Sequence, residues 1–116
     1  MQLSIDKDRN LLVIELSNQE RLWSFRWNKR LSIALGHIRK ISTETPAVTW
    51  LELRAPGTFL PGVIKAGTYY NKQGRDFWYA TRGKGFLVLE LEQDKYRRVV
   101  LTLDDNEAWA SRLRSL

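Results

Sequence analysis

Residues 50–79, WLELRAPGTFLPGVIKAGTYYNKQGRDFWY, carry the reading of the fold. Pro56-Gly57 and Pro61-Gly62 interrupt residues that otherwise have strand composition, and Gly67 lies just ahead of the paired Tyr69-Tyr70. A polar turn, Asn71 to Gly74, then leads into Phe77-Trp78-Tyr79. Proline presets φ and removes a donor, while glycine tolerates positive φ, so these breaks set chain direction. Catalytic loops carry a nucleophile, a base or a metal ligand, and none stands at these breaks. The stretch predicts a bent β architecture packed with aromatic side chains, and no reaction site.

Period-two alternation extends outward from it in both directions. Leu12, Ile14 and Leu16 share one face of a segment, as do Trp23, Phe25 and Trp27, and then Leu31, Ile33 and Leu35. On the other side Leu87, Leu89 and Leu91 share a face, followed by Val99, Leu101 and Leu103. Half-buried strands of this kind, separated by short polar turns, predict an antiparallel sheet with one wet face. Ser17 to Gln19, Asn28-Lys29, Asn71 to Gly74, Arg82 to Gly85 and Gln93 to Lys95 read as hairpin turns. Residues 36–45 admit a helical turn or a bulged strand around Ile38 and Ile41, with strand preferred.

The C-terminus has a different period. Asp104 with Glu107 three positions later forms a capping-box arrangement, and Trp109, Leu113 and Leu116 fall on one helical stripe. A helix of about ten residues is marginal alone, so it must dock that stripe on the sheets. The expected fold is mainly β, strands over residues 2–103 and a helix over 105–115, arranged as a partly open antiparallel barrel or orthogonal sheets capped by the helix.

The 116 residues provide one domain, 1–116, and a hydrophobic content of 43% is ample for one core. With no cysteine, disulfides, thiolate metal sites and thiol catalysis are excluded together. The polar start MQLSIDKDRN has no apolar signal core and no run approaches a membrane span, which points to a cytoplasmic protein. A net charge of +6 invites anionic partners: nucleic acid, acidic protein faces or lipid head groups.

The segments LRAPGTFLPGVIKAGTYY (53–70), GRDFWYA (74–80) and FLVLELEQDKYRRVVLTLDD (86–105), with LSIALGHIRKI (31–41) before them, resemble small bacterial pleckstrin-homology-like domains. The likeness runs from about Leu11 onward and implies a curved antiparallel sheet closed by one helix, in a family of mostly unassigned role. It implies lipid, peptide or protein binding more than catalysis. Lipid-binding members of the wider superfamily place a basic cluster on the first hairpin. Here that turn reads Ser17-Asn18-Gln19-Glu20, which argues against phosphoinositides. Trp109 matches the tryptophan usual in the closing helix, where it packs.

Several groups of residues are candidate sites. Arg26, Lys29, Arg30, Arg39 and Lys40 form a basic run with no acid among them, and Arg75, Arg82 and Lys84 would join it if the later hairpin lies close. Such residues clamp phosphates, or else sit on a solvated strand face paired with Glu90, Glu92 and Asp94. Trp78, Tyr69 and Tyr70 are candidate partner-binding aromatics, because strand neighbours face opposite ways and one member of each pair is pushed outward. His37, the only histidine, lacks companions for catalysis or zinc and reads as structural at a strand bend. Gly57, Gly62 and Gly67 recur every five residues without a phosphate-loop motif, and Asp104 and Asp105 suit a helix start. No catalytic residue, cofactor site or metal site is expected. The expected role is a non-enzymatic module that binds a protein or itself. The alternative is an anion-binding module for nucleic acid or anionic lipid head groups.

Overall fold

In the computed structural model, residues 1–17, 30–44, 63–72, 74–81 and 83–116 are described. The Trp23-Phe25-Trp27 segment, the Pro-Gly run at 56–62, Arg26, Lys29 and Arg82 lie outside them.

Leu3 and Ile5 alternate with polar residues in β1 (Gln2–Asp6), and a four-residue turn returns the chain as β2 (Leu11–Glu15). The turn is built locally: the Asp6 carboxylate accepts from the backbone N–H of Asp8 and of Arg9, at 3.1 and 3.2 Å. β3 (Arg30–Ala34) pairs antiparallel with β2, giving a three-stranded sheet in the order β1-β2-β3. A 3-10 turn, Leu35–His37, then leads to β4 (Ile38–Ser42). The uncertain 36–45 region therefore contains both a helical turn and a strand, with irregular register between Ile38 and Lys40.

β5 (Val63–Asn71) and β6 (Gly74–Thr81) form the hairpin expected at Asn71 to Gly74. β7 (Gly85–Leu91) and β8 (Arg98–Leu103) follow, and the second sheet has the order β4-β7-β8-β6-β5. This order corrects the sequence reading twice. Arg82 to Gly85 is not a hairpin turn, because β8 lies between the two strands it links. Two strand spacings are about 10 Å, and the four Cα steps from Thr81 to Gly85 can reach further; Gly83, at φ 81°, supplies a backbone conformation that other residues resist. In addition, β6 and β8 pair parallel, so the sheet is mixed. Beyond the last parallel pair, the buried Thr102 hydroxyl accepts from the Thr81 N–H at 2.9 Å.

The two sheets are not closed into a barrel, as the partly open barrel expectation had it; among the described residues no ladder joins one to the other. They pack across one core. Leu12, Ile14, Leu31 and Ile33 come from the first sheet, with Leu16 just past the end of β2; Phe77, Leu87, Leu89, Val99 and Leu101 come from the second. Complete burial of a Leu or Ile stabilises by about 1.5–3 kcal/mol each. The opposite face of the second sheet has its own apolar cluster, Trp78, Ala80, Val88 and Val100. Both faces of β8 are thus buried, which explains why Val100 is as apolar as Val99.

Helix α1 spans Asn106–Arg114. Asp105, not Asp104, occupies the N-cap, and its side chain makes no capping hydrogen bond. The helix start is held instead by Asn106, whose side-chain N–H donates to the Phe86 carbonyl at 2.9 Å. Gly85 makes room for that amide, since a Cβ there would collide with it. The buried stripe is Ala110 and Leu113, with Trp109 partly buried beside them under the Arg112 guanidinium; Leu116 lies beyond the helix and is 64% exposed. Among the described residues no helix is long and apolar enough to cross a membrane.

Candidate functional site

Register places one row of side chains across the whole second sheet. Lys40 opposes Glu90, Glu90 opposes Arg98, Arg98 opposes Asp76, and Asp76 opposes Tyr69. Charge alternates along four strands, so each cation has an anion beside it. Asp76 is 2% exposed and accepts through one oxygen from both Arg97 and Arg98, at 3.0 Å each. Arg98 also lies over the Trp78 ring, 5.4 Å from its centre. A buried carboxylate is tolerable only when paired and hydrogen-bonded, and Asp76 meets that condition.

Trp78 is corrected here. It was expected as a candidate exposed anchor opposite Phe77 and Tyr79, yet its relative exposure is 0%. Alternation does send it to the opposite face, but that face is apolar around it: Val100 stands opposite on β8 and Gly67 on β5. Tyr69 is half-buried, and its hydroxyl donates to the Ala66 carbonyl at 3.0 Å. Tyr70 is 76% exposed.

The described members of the basic run do not gather. Arg30 donates to Glu15 at 2.7 Å within the first sheet. Arg39 of β4 bonds Glu92, just past the end of β7, and Lys40 lies 3.9 Å from Glu90 within the second sheet. Lys84 lies 3.9 Å from Asp104. Each is engaged by a carboxylate supplied by a neighbouring segment, the arrangement of an ordinary strand surface.

Cations without such a partner occur elsewhere, at the end of the second sheet where the β5–β6 hairpin meets the β7–β8 loop. Arg75 makes no ion pair with a described residue and lies over the Tyr70 ring at 6.0 Å. Lys72 and Lys95 are exposed and likewise unpaired among the described residues. A polar groove of about 380 Å³ opens beside them, lined by Gly74, Arg75, Gln93, Lys95 and Arg97. Asp94 borders the groove but is turned to His37, whose Nδ1 lies 3.0 Å from its carboxylate. His37 also accepts the Glu92 N–H through its carbonyl at 2.9 Å, so it fastens the start of β4 to this loop.

The sequence joins Arg75 to the Arg26–Lys40 run only if the later hairpin lies close, and it does not single out Lys72 or Lys95. The available signal was the Asn71–Gly74 turn itself: Tyr70, Lys72 and Arg75 flank a tight hairpin with no acid among them until Asp76, which points to the sheet face. Compared with protein-family models, with curated proteins and with solved structures, the chain matches none of them. Among the described residues no group of three or more His, Asp and Glu side chains is placed to hold a metal ion.

Proposed function

We propose that the chain is a non-enzymatic interaction module that binds an acidic protein segment at the β5–β6 hairpin end of its second sheet. The observation that carries this reading is Tyr70: a large aromatic ring, 76% exposed, beside an Arg75 with no carboxylate partner among the described residues. Tyrosine and arginine are the residue types that dominate interface energetics, because each combines apolar area with directional polar contact. Lys72 and Lys95 add positive potential around them, which steers an acidic partner and accelerates encounter. A symmetric pairing of two copies through this end would set these cations against each other, so the partner favoured is a different, acidic chain rather than a second copy.

A cytoplasmic setting and a pleckstrin-homology-like ancestry belong to the same reading. Two packed sheets with one C-terminal helix support that ancestry, while the parallel β6·β8 pair departs from its antiparallel architecture.

The test is an NMR titration of the whole chain with a glutamate-rich peptide carrying alternating leucines, and separately with a single-stranded oligonucleotide, each at two salt concentrations. The peptide is expected to shift the amides of Tyr70, Lys72, Arg75 and Lys95. Tyr70→Ala and Arg75→Ala should each weaken it by about thirtyfold, the size of an interface hot spot. Oligonucleotide binding at the same amides, falling steeply with salt, would replace the protein partner with nucleic acid. Silence of these amides with both probes would sink the site.

A further inference from the structure

A second concavity lies at the seam between the two sheets and the end of α1. It encloses about 480 Å³, within the about 300–1,000 Å³ typical of small-molecule sites. Ile5, Leu35, Ile38, Ile41, Leu113 and Leu116 line it, contributed by β1, the 3-10 turn, β4 and the C-terminus. Core side chains normally interdigitate with few voids, so an apolar gap of this size is a place where the two sheets fail to fill each other. The 64% exposure of Leu116 leaves apolar surface at its mouth.

The rim is cationic. Lys7 lines the cleft and makes no ion pair with a described residue. Arg114 donates through Nη2 to the Ile41 carbonyl at 2.9 Å, which fixes a second cation, with no ion pair among the described residues, beside the apolar wall. The acids on the same turn do not neutralise Lys7: Asp6 holds backbone N–H groups and lies 4.0 Å from Arg9, and Asp8 is exposed.

We propose that this cleft binds a single-chain amphiphile with an anionic head, such as a medium-chain carboxylate, its tail against Ile38, Ile41 and Leu113 and its head between Lys7 and Arg114. Apolar area provides most of the affinity and the rim provides orientation. The site is remote in kind from the Tyr70 end and does not rest on it.

Gly36 gives a clean test, because it lines the cleft and a Cβ added there meets nothing within 4 Å. Calorimetric titration with dodecanoate, below its micelle concentration, is expected to show one saturable site. Octanoate, four methylenes shorter, should bind about a hundredfold more weakly. Dodecanol should bind about fivefold more weakly, the loss of an exposed ion pair. Gly36→Trp, which plugs the cleft, should abolish dodecanoate binding, while Gly36→Ala keeps it. Lys7→Gln, a surface change that leaves the cleft and Arg114 in place, should bring dodecanoate part of the way down to the affinity of dodecanol without altering dodecanol itself. Absence of a saturable site, or binding that survives Gly36→Trp, overturns the proposal. So does equal affinity for dodecanol and dodecanoate. A dimer by sedimentation that Gly36→Trp abolishes would put a second copy in the cleft, and overturns it too.

Discussion

Arg97 and Arg98 meet at one oxygen of Asp76, while Arg75, next to that same aspartate in sequence, meets no carboxylate among the described residues and lies over Tyr70. The difference is set by register. Strand alternation sends Asp76 into the sheet face, where β8 delivers Arg98 directly opposite it, and sends Arg75 away from that face, beside the hairpin tip. The two kinds of arginine therefore do different work although the sequence presents them alike. A cation with an anion built opposite it is committed to the fold. One without is available to something outside it, and that contrast is what directs the search for a partner to Tyr70, Lys72, Arg75 and Lys95.

The sharpest way to break the contrast is at Asp76. Asp76→Ala leaves two arginines, each less than a third exposed, facing a site without its anion. Removing one member of a buried charge cluster costs about 3–5 kcal/mol, so the urea midpoint should fall far below that of the parent. A loss under about 1 kcal/mol would mean that Arg97 and Arg98 simply turn to solvent, and that they do not differ from Arg75. The companion variant replaces the whole cluster: Asp76→Leu with Arg97→Met and Arg98→Met. Exchanging a buried ionic cluster for apolar side chains of similar volume is commonly neutral or stabilising, so this chain should return to within about 1 kcal/mol of the parent. The pair of measurements separates a penalty for unmatched charge from a general need for charge at this place.

Legibility in the sequence followed the same line between local and distant. β2, β3, β7 and β8 were readable because Leu12-Ile14, Leu31-Ile33, Leu87-Leu89 and Val99-Leu101 alternate, and the Asn71–Gly74 hairpin because its turn residues are local. Strand order was not readable. Nothing in residues 82–85 distinguishes a hairpin from a link that steps over β8, because period two fixes faces and is silent on neighbours. The same blindness misplaced Trp78: alternation puts it opposite Phe77, but whether that face is wet depends on Val88 and Val100, which arrive from later strands. The helix start slipped by one residue, from Asp104 to Asp105 at the N-cap, for a related reason, since Asn106 is anchored by Phe86 and not by a cap within its own turn. Of the site, the exposed tyrosine was legible as one of a pair. The engagement of Arg30, Arg39 and Lys40 depended on Glu15, Glu92 and Glu90, and only the last two were foreseen as competitors.

The exposed ion pairs test the lower limit of the contrast, and their effect is expected to be the smallest. Arg39 and Glu92 are bonded, but both side chains are about half exposed or more, so solvent and salt screen the pair. A double-mutant cycle of Arg39→Ala and Glu92→Ala should give a coupling of about 0.2–1 kcal/mol in chemical denaturation, shrinking as salt is raised. Arg75→Ala should change stability by no more than about 0.5 kcal/mol, since no carboxylate among the described residues is left behind. If Arg75→Ala instead costs as much as Asp76→Ala, the cation over Tyr70 is structural, and the free cations are no guide to where a partner binds. If the Arg39–Glu92 coupling is near zero while Arg75→Ala is silent, surface matching carries no energy, and only the burial of Asp76 distinguishes committed arginines from available ones.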